Sequence, residues 1–238
     1  MTSSSWGLSM GLFLVILEGI FPLPSHSQIS QAIVQEIIDS DQVFIQEKPA
    51  KVDDKANFGD VVLTQQARAS LLFNNGAAGR LGNNAKVTVG QCVEVERGEL
   101  LISGPVNGCM GGLSVAVKGT LYILKKTDQG SGSVQVLEGT VQVSNKNQPA
   151  EKIEVSAGEK IELLQGVLGS VIPMTSEEIR ALLSGKLFSD FHIPITPDSA
   201  LQQVCSRLLP GLSCSSTGLP SYPIPTPSLP ISVPGLPF

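Results

Sequence analysis

Histidine is nearly absent from this chain: among 238 residues there are only His26 and His192. Serine and cysteine nucleophiles lean on a histidine base, and zinc sites lean on histidine or tight cysteine pairs, so those chemistries have little to draw on. The sequence also lacks a G-x-S-x-G elbow, a phosphate-cradling P-loop and a G-x-G-x-x-G turn. Basic residues are sparse, 16 against 21 acidic ones, and Lys125-Lys126 is the only adjacent pair. A nucleic-acid partner needs a basic patch, so none is expected. Aromatics make up 5% of the chain, which leaves Val, Ile, Leu and Ala to build the core. Long apolar runs are missing as well. Met10 to Leu17 is the longest, short of the twenty or so residues that span a bilayer.

Paired carboxylates do occur, at Asp39/Asp41 and Asp53/Asp54. Both pairs lie in polar, turn-like segments, where they read as solvated loop residues, and the spacing of a calcium loop is missing. His192, beside Phe191 and Pro194, reads as a packed or surface residue. No catalytic, cofactor-binding or metal-binding residue is assigned, and the chain is not expected to be an enzyme.

What is present begins with an export signal. The apolar run MGLFLVIL at 10–17 is followed by Pro-containing sequence and the small residues Ser25 and Ser27, which places cleavage near Ser27–Gln28 and a signal peptide over 1–27. After cleavage the chain is not expected to be an integral membrane protein. Four cysteines, Cys92, Cys109, Cys205 and Cys214, fit an oxidising, periplasmic or secreted location. They allow three connectivities. Cys92–Cys109 and Cys205–Cys214 are favoured because each closes a short local loop, contributing about 2–3 kcal/mol.

Between residues 28 and 60, Ala32 to Ile38 and Gln42 to Gln46 flank the turn-forming trio Asp39-Ser40-Asp41, which suggests a hairpin or a strand pair. The next hundred residues alternate apolar and polar around glycine, as in Val115-x-Val117-x-Gly119-x-Leu121-x-Ile123 and Val134-x-Val136-x-x-Gly139-x-Val141-x-Val143. Such alternation puts one set of side chains on a buried sheet face. Gly59, Gly79, Gly98, Gly119, Gly139 and Gly158 recur at intervals of 20, 19, 21, 20 and 19. A near-constant period points to stacked repeats, and the expected fold is all-β, a β-solenoid-like short β-helix spanning 28–172. A sandwich of hairpins is the rival arrangement, since its turns also recur.

Residues 173–217 change character and should form a helical C-terminal cap. Thr175 with Glu178 makes a capping box and Gly185 a stop. A second helix should start at Thr196 with Pro197 at its first position, carry Leu201, Val204 and Leu208 on one face, and end at Pro210. The tail, 218–238, has seven prolines and is expected to be extended or disordered.

The stretch from Gly59 to Gly158 resembles the FecR domain family. The residues that carry the resemblance are GDVVLTQQARASLLFNNGAAGRLGNNAKVTVGQ at 59–91, VERGELLISG at 95–104, VAVKGTLYIL at 115–124 and VQVLEGTVQVS at 134–144. Within them, Ala67-Arg68-Ala69, Gly79-Arg80-Leu81, Gly98-Glu99-Leu100, Val117-Lys118-Gly119-Thr120 and Glu138-Gly139-Thr140-Val141 follow the family's order. The Cys92/Cys109 pair flanking GELLISGP looks like a cyanobacterial variant. The resemblance implies an extracytoplasmic module for signal sensing or protein interaction, whose partner is an envelope protein or surface component. Founding members control a sigma factor through a cytoplasmic segment. Only a few residues precede the apolar run here, so that segment is not expected. The alternative is a structural cell-envelope or polysaccharide-binding surface protein with the Pro-rich tail as spacer.

Overall fold

The computed structural model describes residues 29–164, 166–196 and 198–211, with backbone alone at 198–199, 213–214 and 220–221. The expected signal peptide, Pro197 and the tail beyond 221 lie outside these residues. Among the described residues no helix is long and apolar enough to cross a membrane.

The chain lays its strands alternately into two sheets. β1 (Gln31–Ile38) lies in one, and β2 (Val43–Ile45) with β3 (Lys48–Pro49) in the other. β4 (Lys55–Asn57) returns to the first sheet and β5 (Val61–Thr64) to the second. β6 (Arg68–Phe73) and β7 (Ala78–Leu81) make a hairpin in the first, and β8 (Lys86–Thr88) joins the second. β9 (Cys92–Gly104) is 13 residues long and serves both. Its first half pairs with β8, its second with β7.

Beyond β9 each sheet receives one hairpin at a time. β10 (Asn107–Met110) and β11 (Leu113–Val117) go to the second sheet, β12 (Thr120–Lys126) and β13 (Gly132–Glu138) to the first. β14 (Thr140–Asn145) with β15 (Gln148–Ser156), then β16 (Glu159–Leu164) with β17 (Val167–Pro173), repeat the alternation. The first sheet runs β4-β1-β6-β7-β9-β12-β13-β16-β17. The second runs β3-β2-β5-β8-β9-β10-β11-β14-β15.

The all-β expectation therefore holds, and apolar ladders do run inside. Leu81, Leu100, Leu124, Val134 and Ile161 are successive neighbours across the first sheet, and all are buried. Val117, Val141 and Val155 do the same across the second. The repeat differs from a solenoid coil in the sense of its pairing. Among the described residues every pairing is antiparallel except β9–β10, because the twenty-residue unit after Gly119 is a hairpin, laid on alternate sheets. A coil wound in one direction would stack its strands in parallel.

The glycines sit where the chain changes sheet. Gly59, Gly98, Gly119, Gly139 and Gly158 all have positive φ. At Gly98, in the bend of β9, φ is +82° and an added Cβ would lie 2.5 Å from Ala85 Cα, so both conformation and space demand glycine. Gly79 is the exception. It lies within β7 without a positive φ, and an added Cβ there would lie 3.0 Å from the Phe73 ring. The expected hairpin between residues 32 and 46 does not form. β1 and β2 belong to different sheets, because Asp39, at φ 72°, turns the chain across the sandwich.

One core fills the space between the sheets. A second lies on the outer face of the first sheet, where Leu101, Leu121, Ile123 and Leu137 meet Met174, Ile179, Leu183, Val204 and Leu209. Hence the apolar runs of β9 and β12 are buried on both faces. The second core includes α1 (Ser176–Leu183) and α2 (Asp198–Leu208). The helices thus cover a sheet face, where a solenoid cap would cover an end. Thr175 and Glu178 form the expected capping box, with Thr175 Oγ1 accepting from Glu178 N and Glu178 accepting from Thr175 N. Past α2, Ser213–Cys214 pairs with Pro220–Ser221 over two residues.

Candidate functional site

A cluster of ionisable and aromatic groups lies where β1, β6 and β7 meet the segment between α1 and α2. Arg68 opens β6 and Arg80 lies in β7, on the outer face of the first sheet. Both are buried, at 2% and 3% exposure. All five N–H groups of Arg68 have acceptors. Nε and Nη2 form a fork on Asp39 at 2.6 and 2.8 Å. Nη1 donates to the carbonyls of Lys186 and Ser189, and Nη2 also reaches Asp190 at 3.1 Å. A planar guanidinium is the side chain that fits such an arrangement.

Arg80 donates from Nη1 to the Leu187 carbonyl at 2.9 Å and from Nη2 to the Ile193 carbonyl at 2.6 Å. Phe191 covers both cations, its ring centre 4.2 Å from the Arg80 guanidinium carbon and 5.4 Å from that of Arg68. Glu36, in β1, completes the cluster by accepting from the backbone amides of His192 at 2.9 Å and Ile193 at 3.2 Å. His192 Nδ1 lies 2.7 Å from the same carboxylate, although the imidazole is largely exposed.

The titrations follow from these contacts. Burial pushes the Glu36 carboxyl up, but the bonds from His192 and Ile193 outweigh it and hold the group below its ordinary 4.5. The Arg68 hydrogen bond holds Asp39 below its ordinary 3.8. Burial lowers Arg80 to about 10, with Glu36 opposing and Arg68 adding to the fall, so it stays cationic at neutral pH.

Arg68 and Arg80 are the two arginines of the motif residues Ala67-Arg68-Ala69 and Gly79-Arg80-Leu81. The structure brings them together and shows what they hold. Asp39, noted in the sequence for its neighbour Asp41, is the counter-ion of Arg68. Asp41 makes no such pair, and Asp53/Asp54 lie at a turn where Asp54 accepts from Lys51 N. Sequence reasoning passed over Glu36, Asp190 and Phe191. Their partners lie 156 residues away for Glu36 and 122 for Asp190, and no local pattern marks such pairs. His192, which read as either a packed or a surface residue, has a largely exposed imidazole and contacts Glu36. No group of three or more His, Cys, Asp or Glu among the described residues is placed to hold a metal ion.

The cysteines lie elsewhere. Cys92 and Cys109 are bonded on the outer face of the second sheet, with a Cα separation of 5.6 Å, and join β9 to β10 at the parallel pairing. Cys205, in α2, is disulfide-bonded and buried. The side chain of Cys214, its expected partner, lies outside the described residues.

No protein-family model matches the chain, and no curated protein does. Solved structures similar to it include two crystal structures of a protein from Parabacteroides distasonis ATCC 8503, provisionally described as an anti-sigma factor. One is 16% identical over 62% of this chain and 73% of its own, with a TM-score of 0.44. The other is 16% identical over 63% and 78%, with a TM-score of 0.43.

Proposed function

We propose that the chain is an exported, non-catalytic recognition module of the FecR type, which senses or binds a protein of the cell envelope. The observation that carries this reading is the use made of the clustered charges. Arg68, Asp39 and Glu36 are engaged in fastening the α1–α2 segment to the sheet, and Arg68 thereby serves architecture. The Cys92–Cys109 bond supports an oxidising location.

Recognition then falls to the surfaces left uncovered. The outer face of the second sheet carries a shallow cleft of about 440 Å³ bordered by Asn107, Lys118, Gln142 and Glu154. The β16–β17 hairpin exposes Leu164, Val167 and Ile172. Capture from envelope extracts with the immobilised chain tests the reading. A defined protein, retained stoichiometrically and released by Lys118→Glu or Gln142→Arg, supports it. Retention of polysaccharide alone would turn the assignment to a structural surface protein, and a hydrolase activity lost in His192→Ala would revive an enzyme.

A further inference from the structure

Arg80 is less completely matched than its neighbour. It is as deeply buried as Arg68, yet its Nε–H meets no acceptor, and no described carboxylate forms an ion pair with it. Its two carbonyl bonds leave further N–H capacity on the fork. A buried donor without an acceptor is costly, and a buried cation without a counter-ion more so. Nε itself is sealed from the solvent, so a ligand beside Arg80 must engage the unbonded N–H groups of Nη1 and Nη2.

A cavity of about 450 Å³ opens beside it, of a size suited to a small molecule. Arg80 lines this cavity together with apolar Phe188, Phe191, Ile195 and Leu201 and with polar residues that include Asp190, whose carboxylate is held by Arg68, and Thr196. Phe191 occupies a face of the guanidinium, so a further acceptor must approach edge-on, where the N–H groups point. Among the charges nearby, Asp190 is bound to Arg68 and to Ser189 Oγ, Asp39 to Arg68, and Glu36 to the amides of His192 and Ile193. Each is engaged, and none supplies the missing acceptor. A carboxylate matches the planar fork, and the part of the wall made by Phe188, Phe191 and Leu201 suits a compact hydrocarbon body beside it.

We propose that this cavity binds a small organic carboxylate, anchored by Arg80 and packed against Phe188, Phe191 and Leu201. The site lies on the helix-covered side of the molecule and does not depend on the recognition surfaces proposed above. Benzoate is a suitable probe, with benzamide as its uncharged counterpart. The full chain, labelled with ¹⁵N and with its disulfides intact, is titrated at constant ionic strength while the Arg80 Nε–H resonance is followed.

Benzoate should shift that resonance saturably, with half-saturation below about 1 mM. Benzamide should bind at least roughly tenfold more weakly, as expected for loss of a charge-assisted hydrogen bond. Thr196→Trp, which narrows the cavity without touching the arginines, should weaken benzoate binding by about the same factor while the Arg68 and Arg80 resonances remain dispersed. No shift with benzoate up to about 10 mM would overturn the proposal. So would equal binding of benzamide, which would make the cavity a merely apolar one, or undiminished binding in a folded Thr196→Trp protein.

Discussion

Arg68 touches three stretches of chain at once: Asp39 after β1, its own place at the head of β6, and the carbonyls of Lys186 and Ser189 beyond α1. Truncating it leaves Asp39 without its fork and two carbonyls without donors. Asp39 is about a third exposed and can be solvated, so the two part-buried carbonyl contacts dominate and Arg68→Ala should cost about 1–3 kcal/mol in urea unfolding. Arg68→Lys keeps the charge but cannot reproduce the planar fork, and should recover less than half of that loss. The carboxylates also set a pH dependence. Glu36 and Asp39 both have folded pKa values below their ordinary 4.5 and 3.8. Each therefore favours the fold fully above its ordinary value, and its contribution fades as pH falls through the lowered one. Thermal midpoints should be flat near neutrality and fall below about pH 4.5, with Glu36→Gln showing a shallower acid fall. The arginines were legible because they sit in short motifs. Their acceptors were not, because Asp190 and the loop carbonyls reach them only through tertiary folding, 118 to 122 residues away.

Helix α1 rests on a cap that local sequence specifies. Thr175→Ala removes the acceptor of the Glu178 amide and should cost about 1 kcal/mol. The Cys92–Cys109 bond closes a loop 17 residues apart in sequence, and the Cys92→Ser/Cys109→Ser protein should lose about 3 kcal/mol relative to the oxidised one, measured by chemical unfolding. Among the described residues β17 is the last strand of the first sheet and carries no charged residue, and Val167 stands 70% exposed. A lysine there should leave stability within about 0.5 kcal/mol and reduce self-association at high concentration, as read by sedimentation. Strand existence was legible along most of this length, because Val115, Val117, Val141 and Val143 alternate without interruption. The sense of stacking was not. A glycine every twenty residues marks a corner equally well in a coil and in a series of hairpins, and only long-range pairing separates them. Gly79 shows the same limit at one residue, since a glycine required for packing under Phe73 is indistinguishable in sequence from one required by its φ.

At the scale of the molecule, two cores share one sheet. The inner core binds the sheets to each other, and the outer one binds the helices to the first sheet. Loss of the Arg68 clamp should loosen the second while sparing the first. Hydrogen exchange in Arg68→Ala should accelerate at α1 and at residues 186–193, with β9, β12 and β14 still protected. The central position of β9 bears on how the rest comes apart. Four strands lie to either side of it in each sheet, so both halves of the sandwich hang on a single thirteen-residue segment. Repeat proteins whose units touch only their neighbours can melt from the ends inward, unit by unit. Here the earliest and latest hairpins are built outward from a common strand that crosses between layers, so loss of that strand splits both sheets at their middle and opens the shared core there. Cooperativity is thus written into the topology: the sandwich should melt as one body, in a single transition, despite the periodicity of its sequence.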